Sequence, residues 1–471
     1  MTNIHTADEL NNAITSSRGL VEPAIDALCD VISETTGVVP DRRRVAYVSR
    51  FWLMHLCDRV VFDAGGMHGR QQLAIEPSKI ANQGLRTRLL GALGSTSAAV
   101  RVVDPYLKIT AMAELKAALQ SRRCMRWASV VSPPQPAAPS LDKRLAIAKS
   151  DVAADASSTL RRMIALTAPI DLVEQHHMMA SSVMARLDER VRVIYTANAH
   201  QSSTMFRHMM YAQRELGSRV LIHQHGGGYG IDEQHLGEDH DIALSDTFYT
   251  WGWHRSNEGH RVRALPTAFP SRSSGPPSVP ALLMSLPVTS HFYRLQPFLL
   301  PSHVAHVVDE TINFVNALSD GAALRVRSSG ADPFPVDRLR KAGAIVSVDD
   351  CREPGALAAS RAQLVIHNYL GTSWLETLAM NVPTVCFYDP VIYRPRETAR
   401  PLFEALLRVG VLHRSGADAA RFVNQLKGDP GAWWNSPDVQ VARRALVARH
   451  ANFSDNWRDV WQAEFERLLA E

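Results

Sequence analysis

Val191-Arg-Val-Ile-Tyr-Thr-Ala-Asn198, a helix-patterned stretch, then Val220-Leu-Ile-His-Gln-His-Gly-Gly-Gly-Tyr-Gly230 and, past an acidic block, Trp251-Gly-Trp253: this run decides the fold. It reads as a β-strand, a helix and a second strand that ends in a glycine loop carrying polar residues. Open α/β sheets bind ligands beyond the carboxyl ends of their strands. The helix between the strands shows Met205, Met209, Ala212 and Leu216 at i, i+4, i+7 and i+11, one face packed on the sheet.

Working outward, the chain has 471 residues, more than one hydrophobic core usually organises, so two domains are expected. Hydrophobic residues at 46% and charged ones at 21% describe an ordinary globular protein. A net charge of +4 against 51 basic and 47 acidic side chains excludes a nucleic-acid-scale positive surface. Arg42-Arg43-Arg44 and Arg122-Arg123-Cys124-Met125-Arg126 remain local basic clusters, read first as solvated faces. Five scattered cysteines without a C-x-x-C pair fit a reducing compartment. The amino terminus lacks the basic and apolar regions of a signal peptide, and no apolar run reaches spanning length, so a cytosolic protein is expected.

Five prolines between Pro266 and Pro280 mark the linker between a domain of residues 1–270, which opens with a helical elaboration, and a second of residues 271–440. An irregular stretch, Ser132 to Ser140, divides the helical elaboration from the strand-bearing part of the first domain. Past the linker, apolar Ala281 to Val288, helical Pro301 to Leu318, strand-like Leu364 to Tyr369, helical Ser373 to Met380 and apolar Pro383 to Tyr388 alternate as βαβ units require. Residues 441–471 end in an amphipathic helix with Trp457, Trp461 and Phe465 on one face, suited to crossing back to the first domain. The architecture expected is α/β, two Rossmann-like domains facing across a cleft.

Two segments carry candidate chemistry. In the second domain His367 leads through Gly371, Thr372 and Ser373 into a helix with Glu376 in its first turns. Free backbone N–H groups and two hydroxyls there suit a phosphate, and Glu376 suits a ribose hydroxyl. Ser373 and Glu376 also satisfy a capping box, which needs no ligand. In the first domain Gly226, Gly227 and Gly228 permit close backbone approach, with Gln224 and His225 at the strand end. The pair His223-x-His225 is not read as a metal site. Among the neighbouring carboxylates are Asp232, Glu238, Asp239, Asp241 and Asp246, with Glu174 a further candidate. No G-x-S-x-G elbow, Walker A loop, G-x-G-x-x-G fingerprint or H-E-x-x-H motif occurs, which leaves group transfer or binding in a cleft.

Thr196-Ala-Asn198, Gln224-His225-Gly226-Gly227 with Tyr229-Gly230, Glu238-Asp239-His240, Ser245-Asp246 and Trp251-Gly252-Trp253 together resemble the family of surface-carbohydrate transferases first catalogued from Leptospira. Thr372-Ser373 with Glu376, Asn381-x-Pro383-Thr384, and an early aromatic segment with Trp52 and Asp58-Arg59 match as well. That family is similar to the retaining β-Kdo glycosyltransferases of bifunctional O-antigen enzymes. The resemblance implies a GT-B-like arrangement, CMP-Kdo as donor, and double displacement through a carboxylate, with neither metal nor cofactor. By position it implies Asp246 as nucleophile, Asp239 as second choice and Glu174 as acid/base partner. Asn198, Gln224, His225, Gly226, Gly227, His367, Gly371, Thr372, Ser373 and Glu376 would bind substrate. Asp241 stands where the pattern E-D-H-E expects Glu.

The function expected is therefore a glycosyltransferase of bacterial surface polysaccharide, taking a nucleotide-sugar donor and a glycan acceptor. A lipid-linked acceptor would give the basic clusters a role at the inner face of the membrane. Rival readings are an inverting nucleotide-sugar transferase, a CDP-polyol phosphotransferase, and a binding protein without turnover.

Overall fold

The computed structural model describes residues 4–63, 99–107, 125–127, 138–150, 155–255, 261–270, 272–273, 275–286, 294–298, 300–319, 324–328, 334–344, 346–426 and 428–471. The basic cluster at 122–124 and the irregular stretch at 132–137 lie outside them.

Among the described residues, two six-stranded, wholly parallel sheets form the frame. The first takes β1 (Val100–Val103), β2 (Met125–Trp127), β3 (Val193–Thr196), β4 (Arg219–His223), β5 (Thr247–Thr250) and β6 (Val262–Ala264) in the order β2-β1-β3-β4-β5-β6. The second takes β7 (Val279–Ser285), β8 (Leu324–Ser328), β9 (Ser347–Val348), β10 (Ala362–His367), β11 (Thr384–Phe387) and β12 (Leu412–His413) in the order β12-β11-β10-β7-β8-β9. The second order is that of a dinucleotide-binding fold, and each order reverses once, between β1 and β3 and between β7 and β10. A crevice opens at such a reversal, because the connections leave toward opposite faces.

The central strands form where the sequence is mostly apolar on both faces. β3 is buried throughout, as parallel strands flanked by helices must be. In the first domain the helices are α1 (Ala7–Gly19), α2 (Val21–Thr36), α3 (Arg42–Asp63), α4 (Leu141–Ser150), α5 (Ala156–Thr167), α6 (His176–Met184), α7 (Ala199–Ser202), α8 (Thr204–Glu215) and α9 (Leu236–Leu244). Helices α2 to α5 share their own apolar cluster, and the Tyr47 hydroxyl ties α3 to the Leu244 carbonyl at 2.9 Å. Helix α8 starts where the Ser203 hydroxyl accepts from the Phe206 N–H at 3.2 Å. Met205, Met209 and Ala212 of its expected stripe are buried, whereas Leu216 caps the helix and is 45% exposed. The stripe ends a turn early because the chain turns into β4 at Gly217.

The second domain carries α10 (Pro301–Ala317), α11 (Phe334–Lys341), α12 (Gly355–Ala359), α13 (Thr372–Ala379), α14 (Arg400–Arg408), α15 (Gly416–Gln425), α16 (Pro430–Trp434) and α17 (Pro437–His450). Last comes α18 (Trp457–Ala470), which lies on the first sheet. Its Trp461 ring packs 5.1 Å from Tyr195, and the indole N–H donates to the Pro266 carbonyl at 2.5 Å. The linker is thereby held: Thr267 pairs with Phe453, and the chain crosses between domains twice, side by side. Ile231 and Trp251 of the first domain share one apolar cluster with Trp374, Tyr393 and Leu446 of the second. No helix among the described residues is long and apolar enough to cross a membrane.

Candidate active site in the interdomain cleft

The carboxyl ends of the two sheets face one another across a cavity of about 860 Å³. Its wall on the first domain comes from the loop after β4, and on the second from the segment between β10 and α13 together with the ends of β7 and β8. Both chain reversals therefore open into the same space.

The two walls touch at glycines. The Gly227 N–H donates to Thr372 Oγ1 at 2.8 Å, and a Cβ on Gly227 would sit 2.8 Å from the Gly371 carbonyl and 2.9 Å from the Thr372 nitrogen. Only glycine allows two backbones from different domains to meet this closely. Gly230 at φ +70° lies flat against the Trp253 ring, where a Cβ would come within 2.4 Å. Gln224 explains why the loop is fixed. Its Oε1 accepts from the Trp251 N–H at 2.9 Å and the Trp253 indole at 2.8 Å, and its Nε2 donates to the Gly226 carbonyl at 2.8 Å.

Helix α13 starts at the cavity, but not through the expected capping box. The N-cap is Gly371, no side chain caps the first turn, and Ser373 and Thr372 are inside the helix. Ser373 Oγ instead lies 3.4 Å from His367 Nδ1, and Thr372 reaches across to Gly227. The first-turn N–H groups are left for a ligand, and Arg294 and Arg327 line the same cavity.

Of the residues expected to bind substrate, His225, Gly226, Gly227, Gly371, Thr372, Ser373 and Glu376 line the cavity. Gln224, Asn198 and His367 do not. Gln224 is consumed by the bonds just described, Asn198 lies past the end of β3 as the N-cap residue of α7, and His367 is fully buried beneath α13 with Nε2 3.1 Å from Thr377 Oγ1. His223 turns to the opposite face, 2.7 Å from the Tyr195 hydroxyl.

All three carboxylates assigned to catalysis are corrected in position. Asp246 sits at the amino end of β5, accepting from the Val220 N–H at 2.8 Å and pairing with Arg214 at 2.6 Å, so the length of β4 separates it from the cleft. Asp239 faces the helical layer, 3.9 Å from Arg18 and 3.5 Å from Arg255, and does not line the cavity. Glu174 is held by Arg144 at 2.5 Å and by the Ser140 N–H at 2.8 Å among the helices of the elaboration. Its carboxyl stays below the usual range because those donors outweigh burial.

The first-domain carboxylate that the cavity does contain is Asp232, which the sequence places in the acidic block without distinguishing it. It is 4% exposed, accepts from the Tyr393 hydroxyl at 3.0 Å, and its backbone carbonyl accepts from Arg396 at 3.0 and 3.1 Å. Burial pushes its carboxyl up to about 7, with nearby Glu238 adding to the rise and Tyr393, Arg396 and Arg294 opposing it. Glu238 itself is buried, yet Arg396 and Arg255 keep its carboxyl below the usual range against the cost of burial. His225 falls to about 4, through burial above all. No local motif signals Asp232, Arg294 or Arg396; they converge only through packing of the two domains.

A family model described as "LIC12162 family transferase" matches residues 71–465. No curated protein matches the chain. Among solved structures, the spinosyn rhamnosyltransferase SpnG is similar at 14% identity over 78% of this chain and 99% of that one, with a TM-score of 0.35. The spinosyn forosaminyltransferase SpnP is similar at 12% identity over 79% and 100%, with a TM-score of 0.39. The GT-B-like arrangement rests on the two sheets and their shared cleft rather than on these distant likenesses.

Proposed function

Given that the chain belongs to the LIC12162 family of transferases, we propose that it is a glycosyltransferase that moves a sugar from a nucleotide donor, CMP-Kdo in the favoured form, to a glycan acceptor of bacterial surface polysaccharide. The observation that supports this most is the meeting of the glycine loop with the open amino end of α13 over a cavity that also holds the Asp232 carboxyl. The donor phosphate would rest on the first-turn N–H groups of α13 with Arg294 nearby, and Glu376 would take a ribose hydroxyl. One helix end suffices for the single phosphate of CMP, so no metal is needed there.

In this reading Asp232 takes the nucleophile's role. Its carboxylate attacks the anomeric carbon, the bond from that carbon to the phosphate oxygen breaks, and the electron pair leaves with CMP. The acceptor hydroxyl then attacks the glycosyl ester, His225 on the cavity wall accepts its proton, and the ester bond breaks to restore the carboxylate. Two inversions give net retention, as in retaining glycosidases.

Intact-protein mass spectrometry with freshly generated CMP-Kdo tests the reading, comparing wild type with Asp232→Asn. A mass gain of one Kdo residue in the wild type, absent in the variant, is expected. An adduct that persists in Asp232→Asn moves the nucleophile elsewhere. No adduct, and no CMP release with a glycan acceptor, removes the Kdo reading.

A further inference from the structure

We propose that the first domain holds a divalent transition-metal ion of the zinc class at His200, His240 and Asp241, behind the cleft wall. One ring nitrogen of each histidine and one carboxylate oxygen lie within 4.8 Å of one another. His200 comes from α7, directly after β3, while His240 and Asp241 are neighbours on α9. All three are fully buried.

A second observation points to a ligand. His200 Nδ1 and both nitrogens of His240 are buried without a hydrogen-bond partner. Buried polar atoms are nearly always paired, and each one left unpaired costs about 1–3 kcal/mol. The His240 ring has aromatic neighbours instead, Phe51 at 4.8 Å and the His200 ring stacked at 5.7 Å with a 16° tilt. Those contacts fix its orientation and leave its nitrogens unspent. Asp241, by contrast, is crowded with donors: His200 Nε2 at 2.6 Å, Tyr229 hydroxyl at 2.8 Å and Gln201 Nε2 at 3.2 Å. An ion among them would take one of the unpaired His240 nitrogens as a ligand and leave the Tyr229 bond to Asp241 intact.

The donor set selects the class of ion. Imidazole nitrogens suit zinc and its neighbours, whereas magnesium and calcium demand oxygen ligands. Two histidines and one carboxylate leave a fourth position for water, an arrangement zinc accepts. On coordination through Nε2, His200 gives up the proton it shares with Asp241. The ion would clamp α7 to α9 beneath the glycine loop, whose Tyr229 hydroxyl bonds the same carboxylate. It lies one side chain removed from the cavity, and so stands apart from the metal-free sugar chemistry proposed above.

The test uses the full chain, stripped with chelator and titrated with cobalt(II) as a coloured stand-in for zinc, beside metal analysis of protein made in zinc-supplemented medium. One equivalent per chain, the visible bands of a four-coordinate ion, and a melting temperature raised by zinc are expected. His240→Phe, which fills the space without a donor, and Asp241→Asn should each abolish the bands. Wild-type protein that carries no metal and shows no cobalt bands overturns the proposal, whatever the variants do. Bands that survive undiminished in both folded variants overturn it as well, by placing the ion elsewhere.

Discussion

Asp232 combines burial with a position on the cavity wall. Burial holds its carboxyl up near 7, so a nucleophilic role has a defined pH signature. The attacking form is the carboxylate, whose fraction falls tenfold for each pH unit below 7. Adduct formation should therefore rise with unit slope to about pH 7 and then level off. The groups facing it are Tyr393, Arg396, Arg294, Glu238 and the His235 ring. Tyr393→Phe removes a hydrogen bond that favours the charged form, so the rising limb should move to higher pH in single-turnover measurements. A profile that falls through pH 7 instead would recast Asp232 as a proton donor. Asp246 gives the opposite test. Asp246→Ala strands the Val220 N–H and the Arg214 guanidinium, a loss of about 1–2 kcal/mol in urea unfolding. Transfer by the folded variant should stay within twofold of wild type; a thousandfold loss would return Asp246 to the chemistry.

At the scale of elements, the contact between the glycine loop and α13 sets how closely the two walls approach. Gly227→Ala would push its methyl group into the backbone at Gly371 and Thr372. Backbone cannot swing aside as a flexible side chain can, so the walls must part by several tenths of an ångström. Donor affinity should fall about tenfold, a loss of about 1.4 kcal/mol, with the melting temperature little changed. Gly19→Ala, whose methyl meets nothing within 4 Å, is the matched control and should leave affinity as it is. Titration calorimetry with CMP reads both. Equal affinities would show that the open amino end of α13 does not hold the phosphate.

For the whole molecule, the domains are joined by a buried charge as well as by apolar contact. Glu238 on α9 meets Arg396 of the second domain at 3.0 Å and Arg255 of its own domain at 2.5 Å, and it accepts from the Gly230 N–H at 2.7 Å. Arg396 also lies over the Trp253 ring, 5.7 Å from its centre. Removing one partner of a buried pair costs about 3–5 kcal/mol. Arg396→Ala should fall at the low end of that range because Arg255 remains, and it should loosen the glycine loop through Gly230. The expected reading is a lowered midpoint in urea together with weaker CMP binding. Unchanged stability would mean that Glu238 is satisfied within its own domain.

The sequence by itself determined the α/β class, the aromatic face of the last helix and the glycine loop. Each follows from a local rule: a period of two or of about four, or glycine's missing Cβ. It also marked Thr372 and Ser373 at a helix start, although it read Ser373 as the cap, since a capping box and an open helix end look alike until the partner of each hydroxyl is known. Which carboxylate meets the cleft was decided only by tertiary structure. Asp232, Asp239, Asp241 and Asp246 lie within fifteen positions of one another, yet one lines the cavity, one faces the helical layer, one is buried among histidines and one stands at the far end of the sheet. Spacing along a chain that turns from loop to helix to strand does not fix direction in space. The opposite-domain groups that meet Asp232, Tyr393 and Arg396, come from more than 150 positions away.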